Sequence, residues 1–166
     1  MNIFYLDRDP KIAAQMMCDK HVIKMIVESA QMLSTVHRVL SGPEYSNREG
    51  LYKSTHKNHP STKWVADSDQ HYFWLYNHMV ELMREYSYRY NKKHATSRLL
   101  NPLASAPESI SSNGFIDPPQ CMPDYCTHSD TPTAYQTYYL KEKAHMATWK
   151  TRKIPDFWNP AAQIQE

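Results

Sequence analysis

Residues 16–40 read MMCDKHVIKMIVESAQMLSTVHRVL, 25 residues without a glycine or a proline. Their apolar positions Val22, Met25, Ile26, Leu33, Val36 and Leu40 return at helical spacing with Ser29 in register, which predicts one long amphipathic helix. A second stripe, His21, Lys24, Glu28, Gln31 and Thr35, steps by three and four. On a helix these five side chains point the same way, and successive pairs come within reach of one another. Such a face is either solvated surface with an ordinary lysine–glutamate pair or a place for acid–base chemistry, for which these residue types are the usual groups.

With 166 residues, 41 % hydrophobic and 22 % charged, the chain is long enough to bury a core and is expected to form one domain, residues 1–166. Three glycines against eleven prolines, together with long periodic runs, predict an all-α fold, a compact helical bundle with long irregular loops. A net charge of +2 carries no strongly basic signature, so any nucleic-acid footprint must be local. Twelve Tyr, four Trp and four Phe can fill a core, and tyrosine at this frequency also suits stacking on bases or sugars. Cys18, Cys121 and Cys126 cannot all pair, and no secretory signal opens the sequence, so a reducing cytoplasm is the expected compartment. No apolar run approaches the ~20 residues of a membrane span, and a monomer without membrane contact is expected.

Asp9-Pro10 predicts a helix start, with Asp9 as cap, and a short helix over residues 11–17 that leads into or merges with the long one. Before it, the apolar residues 1–6 form a strand-like lead-in or a plug against the core. Gly42-Pro43 ends the long helix, and residues 41–61 read as a loop holding Lys53, His56, Lys57 and His59. A second long helix, capped by Ser61 or Thr62, is predicted to about residue 92, with Trp64, Val65, His71, Leu75, His78 or Met79, Leu82 and Tyr86 on its apolar stripe. Residues 101–130 hold five prolines and read as irregular. Thr131-Pro132 restarts a helix predicted to about residue 150, followed by an arm pinned by Phe157 and Trp158.

Several constellations compete for function. Cys121-x4-Cys126-x-His128 offers three zinc ligands where a structural site takes four. His56 and His59 with Asp19, His21 and Glu28 form a candidate divalent-metal set for a hydrolase, without the spacing of a recognised ligand motif. With three glycines in the chain, a glycine-built phosphate cradle is nearly excluded. Three basic clusters remain: Lys53, His56 and Lys57; Arg84, Arg89, Lys92 and Lys93 among tyrosines; and Lys141, Lys143, His145, Lys150, Arg152 and Lys153. Each alone is a solvated face, and together they outline a track for a nucleic-acid backbone.

Asp19-x-His21-Val22, then Glu28, Leu33, His37-Arg38 and Gly42, resembles the pyrimidine dimer DNA glycosylases, the phage endonuclease V class of small helical repair enzymes. The opening Met1-Asn2-Ile3-Phe4-x-Leu6 is similar to the start of bacterial members, and Leu140-x-Glu142-Lys143 with Thr148-Trp149 is similar to the family's C-terminal helix. The resemblance implies a glycosylase and abasic-site lyase without a cofactor or metal, acting on damaged or abasic DNA, in the host's cytoplasm for a phage gene. It implies that the α-amine of Met1 attacks C1′ of the damaged nucleotide and forms a Schiff base, and that Glu28 stabilises the sugar cation. An α-amine ordinarily titrates near ~8, so part of it is neutral at physiological pH without the burial a lysine needs. His21 is then placed to orient Glu28 or hold the opened sugar, and Lys143 to bind phosphate. Val27 and Gln31 stand where the family has phosphate-gripping arginines, which shifts phosphate contacts to Lys20, Lys24 or Arg38; Asn2, Lys53, His56 and Lys57 are further residues expected to touch DNA. The competing expectations are a metal-dependent nuclease built on the His/Asp/Glu set and a nucleic-acid-binding protein without catalysis.

Overall fold

A computed structural model of the chain describes residues 1–159; residues 160–166 of the expected unit lie outside the described residues. Among the described residues seven α-helices follow one another: α1 (Pro10–Met16), α2 (Asp19–Ser41), α3 (Pro43–Arg48), α4 (Pro60–Asp67), α5 (Asp69–Tyr90), α6 (Leu100–Leu103) and α7 (Thr131–Glu142). Among the described residues there is no strand, and the fold is all-α as the periodicity predicts. No described helix is long and apolar enough to cross a membrane. The core forms where α2 and α1 pack on α5 and α4 closes against both α2 and α5. Val22, Met25, Ile26, Leu33 and Val36 of the predicted stripe are buried there, facing Leu75, Met79 and Leu82.

The helix ends differ from the sequence expectation wherever a distant residue sets them. Asp9 caps α1 by accepting from the Lys11 and Ile12 amides, with Pro10 in the first turn, as the local signal predicts. Helices α1 and α2 do not merge. Arg89, from α5, donates to the carbonyls of Gln15 (3.0 Å) and Met17 (2.7 Å), and Met17 and Cys18 adopt extended conformations. The second predicted long helix is two helices. Ser68 is extended between α4 and α5, its hydroxyl donating to the Gly114 carbonyl (2.6 Å), while the Asp69 amide donates to the Ser111 carbonyl. The cap of α4 is His59 rather than Ser61 or Thr62, and α5 ends on Asn91 in the left-handed region (φ 53°). Residues 43–48 of the expected loop are helical, begun by Pro43. Helix α7 stops at Glu142, not near residue 150, because the following segment turns back onto the start of α2: the Asp19 amide donates to the Thr148 carbonyl (2.8 Å).

That junction is ionic. The buried Arg89 guanidinium reaches Glu85 (2.9 Å) and Asp19 (3.1 Å). The same Asp19 carboxylate accepts from the Thr148 hydroxyl (2.8 Å) and the Lys150 amide (2.9 Å), and Arg152 pairs with Glu85. A charge this deep is tolerated only when paired and fully hydrogen-bonded. Arg89 therefore leaves the surface cluster in which sequence placed it, and its environment is the helix junction. Arg89→Ala is expected to cost about 3–5 kcal/mol of unfolding free energy in urea melts, because it removes the buried cation that the Asp19 and Glu85 carboxylates share. Arg89→Lys recovers little, since an ammonium lacks the planar fork that reaches two carboxylates and two carbonyls at once; a loss under about 1 kcal/mol for either variant would contradict the junction's role.

Candidate functional site

The chain enters the fold as a plug. Ile3, Phe4, Tyr5 and Leu6 are all buried, without regular secondary structure. Burying a large apolar side chain contributes about 1.5–3 kcal/mol, against about 1–2 kcal/mol for ordering its backbone, so the segment stays fixed without a ladder of hydrogen bonds. Its shape is set by Asn2, whose Oδ1 accepts from the Ile3 (2.7 Å) and Phe4 (3.0 Å) amides while Nδ2 donates to the Cys121 carbonyl (3.0 Å). Phe4 is held in the left-handed region (φ 56°), a conformation that costs a bulky residue on the order of 1–3 kcal/mol and that tends to occur at functional sites.

The hook delivers the α-amine of Met1 to Glu28. Its nitrogen lies 3.6 Å from Glu28 Oε1, and the Met1 side chain is almost fully buried. Glu28 Oε2 is buried as well and has no hydrogen-bond partner in the protein. A buried carboxylate oxygen left without a donor is unusual and calls for an explanation. Among the described residues no ion pair joins Lys24 to Glu28, so the ordinary lysine–glutamate pair is not what the polar stripe provides. The amine and carboxylate lie in a cleft of about 390 Å³ with Asn2, Phe4, Lys24, His59, Cys121, Tyr138 and Lys143 in its walls. Lys143 lies over the ring of Tyr138 (5.0 Å) and farther from that of Phe4 (5.9 Å), leaving its charge beside the opening.

The other residues marked by sequence fall into three groups. His21 stands behind this cleft: its ring stacks on Phe4 (4.1 Å) and its Nδ1 is hydrogen-bonded with the Tyr139 hydroxyl (2.7 Å). Burial, with Lys143 and Lys24 adding, pushes its pKa down to about 3, so it is neutral and acts as a platform for Phe4. The Arg38 guanidinium donates to the carbonyls of Tyr52 (2.7 Å) and Leu51 (2.8 Å) and to Asn47, tying α2 to the following loop. The Asn2 side chain is likewise consumed inside the protein. Lys20, Lys24, Lys53, His56 and Lys57 are exposed, the last three on the loop that leads to His59.

The metal sets do not assemble. Asp19 is bound by Arg89 and the C-terminal segment, and among the described residues no three His, Cys, Asp or Glu side chains converge as ligands. Cys126 is buried, the Cys121 sulfur faces the Ser61 hydroxyl (3.4 Å), and His128 Nδ1 accepts from the Asp130 amide. A larger cleft, about 560 Å³, lies at the other end of α2 between His37, Tyr45 and residues 105–109, and it contains no amine–carboxylate pair. Phe4, Met25, His59, Cys121 and Tyr138 are the cleft residues that sequence reasoning did not assign to this site. His59 and Cys121 carried a signal, each grouped with metal ligands, and Tyr138 carried none.

The sequence profile of the family described as pyrimidine dimer DNA glycosylase matches residues 1–98, which include the hook, all of α2 and the loop to α4. No curated protein and no solved structure matches the chain.

His21 and His78 are buried, with pKa values pushed down to about 3 and about 4. In the unfolded chain both take up a proton near pH ~6.5. Between those limits the unfolded state binds more protons, so stability falls as pH drops from ~6.5 towards ~4. His21→Phe should flatten this slope in urea melts followed across that range; an unchanged slope would place the proton uptake elsewhere.

Proposed function

The chain belongs to the pyrimidine dimer DNA glycosylase family, and from that premise we propose that the cleft between Met1 and Glu28 is the active site of a glycosylase with abasic-site lyase activity. The observation that carries this reading is the Met1 amine held 3.6 Å from a carboxylate whose second oxygen is buried and unpartnered. The neutral amine attacks C1′ of the damaged nucleotide, and the glycosidic bond breaks with its electron pair on the departing pyrimidine. Glu28 accepts the proton released by the new ammonium and returns it to O4′ as the sugar ring opens, leaving a protonated Schiff base. Before Glu28 takes up that proton, its negative charge stabilises the positive charge that develops on the sugar as the glycosidic bond breaks. The Schiff base then acidifies C2′; Glu28, ionised again, takes the C2′ proton, a C2′–C3′ double bond forms, and the C3′–O bond breaks with its electron pair on the departing 3′ phosphate.

DNA reaches this cleft along exposed cations. Lys24 and Lys143 stand at its walls, and Lys53 and Lys57 extend the positive surface along the loop before α4, which also holds His56. This arrangement replaces the arginine grip with point charges, which hold phosphate without a bidentate geometry. The non-catalytic alternative leaves the buried amine–carboxylate pair without a purpose. The metal-dependent alternative lacks a converged ligand set among the described residues.

Glu28→Gln is expected to reduce nicking of abasic and ultraviolet-irradiated DNA by at least about 10²-fold while binding and folding persist. A variant that nicks at near-normal rate would remove Glu28 from the chemistry. For Lys143→Ala, affinity should fall for any DNA sequence and the slope of log K against log salt should drop by about one. An unchanged slope would make Lys143 a support for Tyr138 only.

A further inference from the structure

We infer that His59 is a further catalytic residue of this cleft, whose Nε2–H donates a hydrogen bond to the departing pyrimidine as the Met1 amine displaces it. This rests on the Schiff-base reading above. His59 lines the same cleft as Met1 and Glu28, although 31 positions separate it from Glu28 in the chain. It is also the N-cap of α4, where its Nδ1 accepts the Ser61 amide proton (3.1 Å). A ring nitrogen that accepts carries a lone pair, so the proton of the neutral imidazole is on Nε2. The helix cap thereby fixes the tautomer, and it does so without any substrate present. The backbone is held too: the His59 amide donates to the His56 carbonyl and its own carbonyl accepts from Lys63 (both 3.0 Å).

This arrangement decides which role the imidazole can take. Nε2 bears a proton and has no lone pair to offer, so the ring cannot remove the C2′ proton in the elimination. Burial, the α-amine charge and His56 all push its pKa down, which keeps it a neutral donor rather than an imidazolium. A neutral donor in the cleft that Glu28 lines leaves the carboxylate's charge available to the sugar, whereas a second cation would offset it. When the amine lone pair forms the N–C1′ bond, the electrons of the C1′–N1 bond move onto the pyrimidine and delocalise to its O2. That oxygen is the acceptor for Nε2–H, and solvent water later supplies the proton to the released ring. Stabilising charge as it develops is worth most in a site shielded from water. Once the base has gone, this donor has no further part in strand cleavage.

The test compares glycosidic-bond cleavage in ultraviolet-irradiated DNA, read as base released after photoreversal of the dimer, with nicking of preformed abasic DNA under single-turnover conditions. His59→Asn and His59→Ser both retain a good helix cap, and their melting temperatures verify it. Base release should slow by about 10²-fold in both variants, with nicking of abasic DNA slowed far less. Base release at the wild-type rate would overturn the inference, as would equal losses in both steps at an unchanged melting temperature. Failure of the wild-type protein to nick abasic DNA would instead overturn the Schiff-base reading, and this inference with it.

Discussion

The buried guanidinium of Arg89 fixes where α2 begins, and with it the position of Glu28. It takes the last carbonyls of α1, pairs with the carboxylate that opens α2, and is itself held by Glu85 one turn earlier on α5. Nine residues beyond Asp19, α2 presents Glu28. The C-terminal segment closes on the same carboxylate through Thr148 and Lys150, which sets the path of the chain after α7. Lys143, the residue that follows α7, therefore reaches the cleft for the same ionic reason that Glu28 does.

The amine arrives by a different route. Residues 3–6 bury their side chains, and the unfavourable backbone at Phe4 is supported from three sides: by the Asn2 side chain, by the stack on His21 and by the parallel ring of Tyr138 (5.9 Å). Burial keeps His21 neutral, so no charge lies beneath the ring that lines the cleft. A strained residue held in this way orients the amine before any substrate binds, and preorganisation is where enzymes gain most of their electrostatic advantage. Cap and tautomer at His59 follow the same logic, a structural hydrogen bond fixing the state of a group that faces the site.

The fold class and the long helix were legible because they depend on local information: spacing of apolar residues, Asp9-Pro10, Gly42-Pro43 and Thr131-Pro132. Glu28 stood out through its place on a polar stripe and in a family pattern, and the structure brings it to the Met1 amine. What was not legible came from residues far along the chain. The break at Ser68 contains no glycine or proline and is made by Gly114 and Ser111. Arg89 looked like part of a basic surface because nothing local announces two carboxylates buried around it. Arg38 looked available to DNA, yet loop carbonyls of residues 51 and 52 take its donors. His59 looked like a metal ligand until its Nδ1 was seen capping α4, and Tyr138 had no signal at all, since its role depends on where Phe4 lies.

The central claim is that the α-amine of the chain, rather than a lysine, forms the covalent bond to the sugar. Lys24 and Lys143 line the same cleft and are the competing primary amines. Borohydride reduction during reaction with abasic DNA, followed by proteolysis and mass mapping of the adduct, distinguishes them directly. The account predicts a single adduct on the N-terminal amine of the peptide that begins at Met1. An adduct on the peptide containing Lys24 or Lys143, with the N-terminal peptide unmodified, would contradict it.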